Sequence, residues 1–275
     1  MQLQIESTNT CNADCVFCPY SKMTRAHGTM EMPLFRRIID EAATIPAIDH
    51  ITITGLGEPL LDRFLVDRIR YIRSVLPSIL LDIYTNGSFL RPALADQLIA
   101  AGLSVLYVSL NAVSASKRLA VMKLDDYERV VEYINYAKAA AEAAGGATRV
   151  IVKAIVAKDL MEGSESSQFV EIWKGDWDRG GAAFRHLEGN WAGSMWPVRV
   201  PLQGACDRAL NQFMVLQDGR VSLCCFDANG REILGDLNAQ TIREIFNGSH
   251  ATGIREAHYS GRRNDVAICA QCTGI

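Results

Sequence analysis

Gln2-Leu3-Gln4-Ile5-Glu6-Ser7-Thr8-Asn9-Thr10-Cys11-Asn12-Ala13-Asp14-Cys15-Val16-Phe17-Cys18 is the stretch on which the fold turns. Alternating apolar and polar residues over 2–7 predict a strand that runs directly into three cysteines spaced C-x₃-C-x₂-C. Three thiolates this close can hold an iron–sulfur cluster and leave one iron without a protein ligand, open to a substrate or cofactor. The competing reading is structural zinc, which wants four closed ligands. The nearest fourth candidate, His27, lies nine residues beyond Cys18, outside the usual short spacings. The spacing favours a cluster.

Outward from this loop, short β-rich runs alternate with helical patterns. Strands are predicted over 50–54, 80–85, 105–109, 149–156 and 182–187, and helices over 33–45, 64–75, 92–101, 127–144 and 167–173. Gly102 and Gly145-Gly146 sit where helix C-caps belong. Six βα-like units imply a parallel sheet in an α/β fold. A closed eight-unit barrel takes ~250 residues. Six units within residues 1–197 therefore predict a partial (β/α)₆ TIM-like barrel, with its chemistry at the C-terminal ends of the strands. After Pro197 the pattern changes. Strands over 213–217 and 221–225 flank an Asp218-Gly219 turn, a helix follows over 241–246, and Cys269-x₂-Cys272 comes near the end. Residues 198–275 read as a small second module built around cysteines.

Hydrophobic residues make up 49% of the 275 and charged residues 21%, enough for a sizeable core and too ordered a composition for a disordered chain. The net charge of −3 and the lack of a basic stripe argue against binding a nucleic-acid polymer, though not a single nucleoside. No run of eighteen apolar residues predicts a membrane span, and the N-terminus has neither the basic nor the apolar segment of a signal peptide. The expectation is a cytoplasmic protein, and its eight cysteines are expected to serve metal or cluster ligation.

Cys11-Asn12-Ala13-Asp14-Cys15-Val16-Phe17-Cys18 after strand one, together with Gly57-Glu58-Pro59 after strand two, resembles the radical S-adenosylmethionine (SAM) superfamily. The resemblance implies that Cys11, Cys15 and Cys18 hold a 4Fe-4S cluster whose fourth iron is chelated by the amino and carboxylate groups of SAM. It further implies that reductive cleavage of SAM yields a 5′-deoxyadenosyl radical that takes hydrogen from a substrate carbon. An external one-electron reductant, flavodoxin- or ferredoxin-like, is expected. Phe17 matches the aromatic residue near the adenine. Gly57, Glu58 and Pro59 match the turn that binds the SAM amino group, where backbone carbonyls supply acceptors for an ammonium. Thr85 and Asn86 at the end of strand three, and Ser109 and Asn111 at the end of strand four, match positions that contact the ribose or carboxylate. The plainer reading makes Asn86-Gly87 only a turn and Ser109 only a helix cap.

Cys206, Cys224, Cys225, Cys269 and Cys272 remain. Their spacing alone does not separate four-thiolate zinc from iron–sulfur. The arrangement resembles the twitch module, a shortened SPASM domain carrying one auxiliary 4Fe-4S cluster, and the resemblance implies Cys206, Cys225, Cys269 and Cys272 as its ligands. Cys224, adjacent in the predicted strand, would then point to the opposite face. It is read either as a buried hydrophobic-like thiol or as a catalytic hydrogen-atom donor. The opposite assignment, with Cys224 as ligand and Cys225 spare, stays open.

Two members of the twitch group serve as templates, the aminocyclitol dehydrogenase of butirosin biosynthesis and neomycin epimerase. The dehydrogenase type carries Asn-Arg-Gly-Gly near strand six, with the arginine suggested as base. Here Asn190-Trp191-Ala192-Gly193 stands there, and tryptophan accepts no proton. That change and the spare cysteine favour carbon-centre epimerisation of a sugar- or aminoglycoside-like metabolite. The alternatives are oxidation of a secondary alcohol with the auxiliary cluster as electron acceptor, and epimerisation or crosslinking of a peptide residue. A zinc-dependent binding protein is the reading from another class. Lys153, Arg185, His186, Glu188 and Trp191 are the candidate substrate contacts, and Trp173, Trp177 and Trp196 are expected in core or lid packing.

Overall fold

The structure, a computed structural model, describes residues 1–156, 163–173, 182–186, 190–195 and 203–273. In chain order its first half runs β1 (Gln2–Ile5), α1 (Met32–Ala42), β2 (His50–Ile53), α2 (Leu65–Val75), β3 (Leu80–Thr85), α3 (Pro92–Ala100), β4 (Val105–Ser109), α4 (Ala115–Met122) and α5 (Tyr127–Ala143). Then come β5 (Arg149–Val156), α6 (Gly163–Trp173), β6 (Ala182–His186), α7 (Asp207–Asn211), β7 (Gln212–Val215), β8 (Arg220–Ser222), β9 (Ile233–Asp236), α8 (Ile242–Asn247), α9 (Ser249–Tyr259) and α10 (Ala267–Ala270). The residues fall into two compact units. One gathers Met1–Thr10, Cys18–Gly57 and Glu188–Ile275, and the other Cys11–Phe17 and Glu58–Leu187.

In the first unit β1 lies between β2 and β7, parallel to both, with Leu3 paired to Ile51 on one side and Phe213 on the other. Leu3, Ile5, Ile51 and Ile53 are fully buried, which fits a strand with neighbours on both edges. α1 buries Phe35, Ile38, Ile39 and Ala42, the stripe that its 3.6-residue period dictates, and Pro33 in its first turn costs no hydrogen bond. β7, β8 and β9 continue as an antiparallel meander. α8 opens on a capping box formed by Thr241 and Glu244.

In the second unit β3, β4, β5 and β6 are parallel neighbours in that order. One sheet face carries Leu81, Ile83, Val108, Val150 and Val152, all essentially without exposure. Period-two alternation puts Tyr84, Tyr107, Ser109 and Lys153 on the other face, where all four are half-buried. Gly102 and Gly145 end α3 and α5 at φ +89° and +92°, the left-handed geometry the sequence reading expected of them.

Several elements depart from the sequence expectation, which named no helix at α4, α7, α9 or α10 and no strand at β9. α4 has its Arg118 at 0% exposure among apolar residues, so the charge hides the apolar stripe. α9 contains Gly253 and buries His258. The expected strand over 221–225 stops at Ser222, where the β8–β9 register shifts between Val221 and Ser222. Cys224 and Cys225 thus lie beyond the strand, in a turn closed by Asp227 N donating to Cys224 O at 3.1 Å. Strand alternation does not set their directions. No helix among the described residues is long and apolar enough to cross a membrane.

Candidate active site

The ends of β3 and β4 are tied together by buried charge. Glu58, 2% exposed, accepts from Thr85 Oγ1 at 2.6 Å, Asn86 N at 2.7 Å and Leu60 N at 3.0 Å. Its side chain is occupied inside the protein, and the backbone oxygens of Glu58 and Pro59 accept from Leu61 N and Asp62 N, each at 3.0 Å. Burial pushes the Glu58 carboxyl above the ordinary range, more than these donors and Arg118 pull it back. Asn86 is a junction. Its Nδ2 donates to Asn12 Oδ1 in the cysteine loop at 2.8 Å, its Oδ1 accepts from Ser88 N at 2.9 Å, and its carbonyl accepts from Arg118 Nη2 at 2.8 Å. Arg118 also reaches Leu110 O at 3.1 Å and Asp126 Oδ1 at 2.6 Å. The sequence reading missed Arg118, Asp126 and Asn12, whose roles depend on partners remote in the chain. Asn86 serves both as the expected turn and as an anchor of the cysteine loop.

Cys11 and Cys15 belong to the second unit, and Phe17, 5% exposed, is buried there. Burial raises the Cys11 thiol to about 11, against hydrogen bonds from Ala13 and Asn86 that favour the thiolate. Cys18 immediately precedes the 3₁₀ turn Pro19–Lys22 in the first unit. There a second buried carboxylate organises the end of β1. Glu6, 1% exposed, takes Arg25 through both oxygens at 2.6 and 2.8 Å and accepts from Leu56 N at 3.1 Å and Gln217 N at 3.3 Å. A Cβ on Gly57 would lie 2.0 Å from Thr8 O, so only glycine lets this turn sit against the end of β1.

On the exposed-side face of the second unit's sheet, Tyr84 and Tyr107 stack at 4.6 Å. Lys153 Nζ stands 4.8 and 4.6 Å from their ring centres. Ser109 pairs with Lys153 across the β4–β5 register. Asn111 has φ +53° and is buried, its Nδ2 near Met122 Sδ at 3.6 Å. Arg185 and His186 stand on β6 opposite Ile155 and Val156. Glu188, Trp177 and Trp196 lie outside the described residues. Trp173 is buried core, as expected. Trp191, at φ +51°, packs its ring 4.8 Å from that of Phe226 in the first unit's core.

The C-terminal cysteines meet at a cavity of about 300 Å³ in the first unit. Cys206, Cys224, Cys269 and Cys272 line it, with Arg208 and Arg263. Cys225 is not among the lining residues, and its Sγ accepts from Arg208 Nη1 at 2.9 Å. Cys224 thus shares this cavity with the other three thiols, while Cys225 packs beside it against the same core. The turn closed by Asp227 N and Cys224 O, not strand alternation, sets the directions of the two side chains. Burial pushes the Cys269 thiol to about 11, opposed by Arg263 and reinforced by Cys206 and Cys272. Among the described residues no group of three or more His, Cys, Asp or Glu side chains is already drawn to metal-ligand spacing. A cage of this kind closes as its ligands bind and deprotonate. Four thiols around one apolar-walled cavity suit a four-thiolate centre.

The cysteine loop and this cavity coincide with two family matches. Residues 5–152 match the Radical SAM superfamily, and residues 206–273 match an iron–sulfur cluster-binding domain of the SPASM type. The chain belongs to the radical SAM superfamily. It is a radical SAM enzyme with that superfamily's mixed α/β partial barrel and a C-terminal iron–sulfur module of the SPASM/twitch type. It is 22% identical over 281 residues to the S-adenosyl-L-methionine-dependent 2-deoxy-scyllo-inosamine dehydrogenase of Niallia circulans, covering 99% of this chain and 92% of that protein. The crystal structure of BtrN in complex with AdoMet and 2-DOIA is similar at TM-score 0.70 and 19% identity, over 100% of this chain and 93% of that one. Streptococcus suis SuiB bound to the precursor peptide SuiA is similar at TM-score 0.72 and 11% identity, over 92% of this chain and 66% of that one. The chain spans less than half the length of several other curated relatives that it matches.

Proposed function

We propose that this enzyme oxidises a secondary alcohol of a small polar, aminocyclitol- or sugar-like substrate. The observation that carries this reading is the end-to-end similarity to the inosamine dehydrogenase, which extends through the C-terminal cysteines. It favours dehydrogenation over the epimerisation expected from sequence alone.

Cys11, Cys15 and Cys18 would hold the catalytic cluster, and Cys206, Cys224, Cys269 and Cys272 the auxiliary one. When bound, the clusters and SAM would supply hydrogen-atom removal from carbon and acceptance of one electron, and the hydroxyl proton would leave to solvent, since Trp191 accepts none. The chain's residues bind and orient. The Gly57-Glu58-Pro59 turn would face the ammonium of SAM, while the buried Glu58 side chain fixes Thr85 and Asn86. Lys153 Nζ, 4.8 and 4.6 Å from the centres of the Tyr84 and Tyr107 rings, would donate to a substrate hydroxyl oxygen, and the Tyr84–Tyr107 pair would give a sugar-like ring an apolar contact.

Anaerobic incubation of the reduced, reconstituted enzyme with SAM and a panel of aminocyclitols tests the reading. A ketone formed in equimolar amount with 5′-deoxyadenosine is the expected result. An inverted alcohol carrying one solvent-derived hydrogen would replace this reading with epimerisation. The thiol of Cys225, held by Arg208, is the specific feature that favours that second reading.

A further inference from the structure

We propose that Arg208 and Arg263 set the reduction potential of the auxiliary cluster, raising it so that the C-terminal module readily takes up one electron. The inference rests on the auxiliary cluster assigned above, not on the identity of the substrate. Both guanidinium-bearing side chains line the same cavity as Cys206, Cys224, Cys269 and Cys272. They arrive from different elements. Arg208 is on α7, two residues after Cys206, and Arg263 is in the 3₁₀ turn between α9 and α10.

Each is held in place. Arg263 is 3% exposed and donates from Nη2 to the backbone oxygen of Cys269 at 3.0 Å. Arg208 lies over the Phe226 ring at 4.8 Å and donates from Nη1 to Cys225 Sγ at 2.9 Å, beside the lining Cys224. A thiolate-ligated cluster becomes one charge more negative on reduction. Fixed positive charge and N–H donors close to its sulfurs favour that state, and burial strengthens the effect.

The neighbouring carboxylates oppose this field in part, and each is engaged by donors of its own. Asp207 is the acidic residue among the described ones lining the cavity; it is exposed and holds Asn211 Nδ2 at 2.5 Å. Asp227 is buried but committed to Ser222 Oγ, Arg231 N and Glu232 N, and Glu232 accepts from His250 Nε2 at 2.8 Å.

The test is an anaerobic potentiometric titration, followed by electron paramagnetic resonance, of the full-length protein with Cys11, Cys15 and Cys18 replaced by Ala. That background isolates the auxiliary cluster. Into it go Arg208→Gln, Arg208→Lys and Arg263→Gln. Each Gln variant is expected to reduce about tenfold less favourably, a fall of ~59 mV for one electron, whereas Arg208→Lys keeps most of the wild-type potential. An unchanged potential in Arg208→Gln at full iron content overturns the inference, as does an equal fall in Arg208→Lys. The Arg208 pair decides even if Arg263→Gln loses its iron. A lowered potential here, with no ketone formed by the wild-type enzyme, would sink the dehydrogenase reading and leave this inference standing. Ketone formation with an unmoved potential would do the reverse.

Discussion

Asn86 and Asn12 are joined by a 2.8 Å hydrogen bond from Nδ2 to Oδ1, which fastens the loop bearing Cys11 to the end of β3. The bond spans 74 positions in sequence and uses a residue whose side-chain oxygen and backbone groups are already engaged. Asn86→Ala removes the side-chain hydrogen bonds to Asn12 and Ser88 N and leaves the Asn12 oxygen seeking water. The expected cost is about 1–3 kcal/mol of stability, together with faster loss of iron from the N-terminal cluster. Iron retention over time under a chelator, compared between this variant and wild type, measures it. Equal retention would mean that the loop holds its shape without the bond.

Glu58 gives the protein a definite pH response. Because burial raises its carboxyl, the folded state binds this proton more tightly than the unfolded chain, where glutamate titrates near ~4.3. Its stabilising share is therefore fully present below that value and is lost as pH rises through the window up to the folded pKa. In Glu58→Gln the window disappears. That variant also turns an NH₂ toward one of the donors from Thr85, Asn86 or Leu60, at a cost of about 1–3 kcal/mol. Melting midpoints across pH 5–8 should show the wild type's advantage shrinking as pH rises; a growing advantage would refute the sign.

Arg118→Met tests the clamp over β3 and β4. It strands the buried Asp126 carboxylate and frees the Leu110 and Asn86 carbonyls. Burial acts to raise the Asp126 carboxyl, yet the hydrogen bonds from Arg118 and Ser88 hold it below the ordinary range. Removing one partner of a buried ion pair costs about 3–5 kcal/mol. A thermal midpoint within a degree of wild type would show that solvent or Arg129 replaces the lost partner.

The two adjacent cysteines separate by iron count. Cys224→Ala should lose the auxiliary cluster's share, about half of the ~8 irons of a two-cluster protein. Cys225→Ala should keep both clusters. The reverse pattern would restore Cys225 as the ligand.

Much of this was legible because local patterning and local chemistry agree. The six parallel strands follow from alternation and turn residues, and the cysteine loop from a spacing that lies within eight residues of chain. Gly57 was picked out as part of a ligand turn; its closeness to Thr8 O adds a packing reason that no single sequence displays. Arg118, Arg25 and Arg263 were opaque for a common reason. A buried arginine looks like a surface residue until its partners are known, and the Glu6–Arg25–Gln217 group draws those partners from opposite ends of the chain. The directions of Cys224 and Cys225 were not legible because the expected strand ends at Ser222, where the register shifts.

The parallel pairing of β7 with β1 bears on how such enzymes can be dissected. The C-terminal cysteines reach the sheet through β7, and β7 covers one hydrogen-bonding edge of the strand that leads toward the catalytic loop. Cutting the chain ahead of Cys206 would uncover that edge as well as remove an iron–sulfur module, leaving a row of unpaired amides and carbonyls ready to capture another molecule. Insoluble aggregate, rather than a smaller working barrel, is the foreseeable product of such a truncation. Swapping modules between relatives requires that β7, with Gln217 behind it, be carried along with the partner of Glu6.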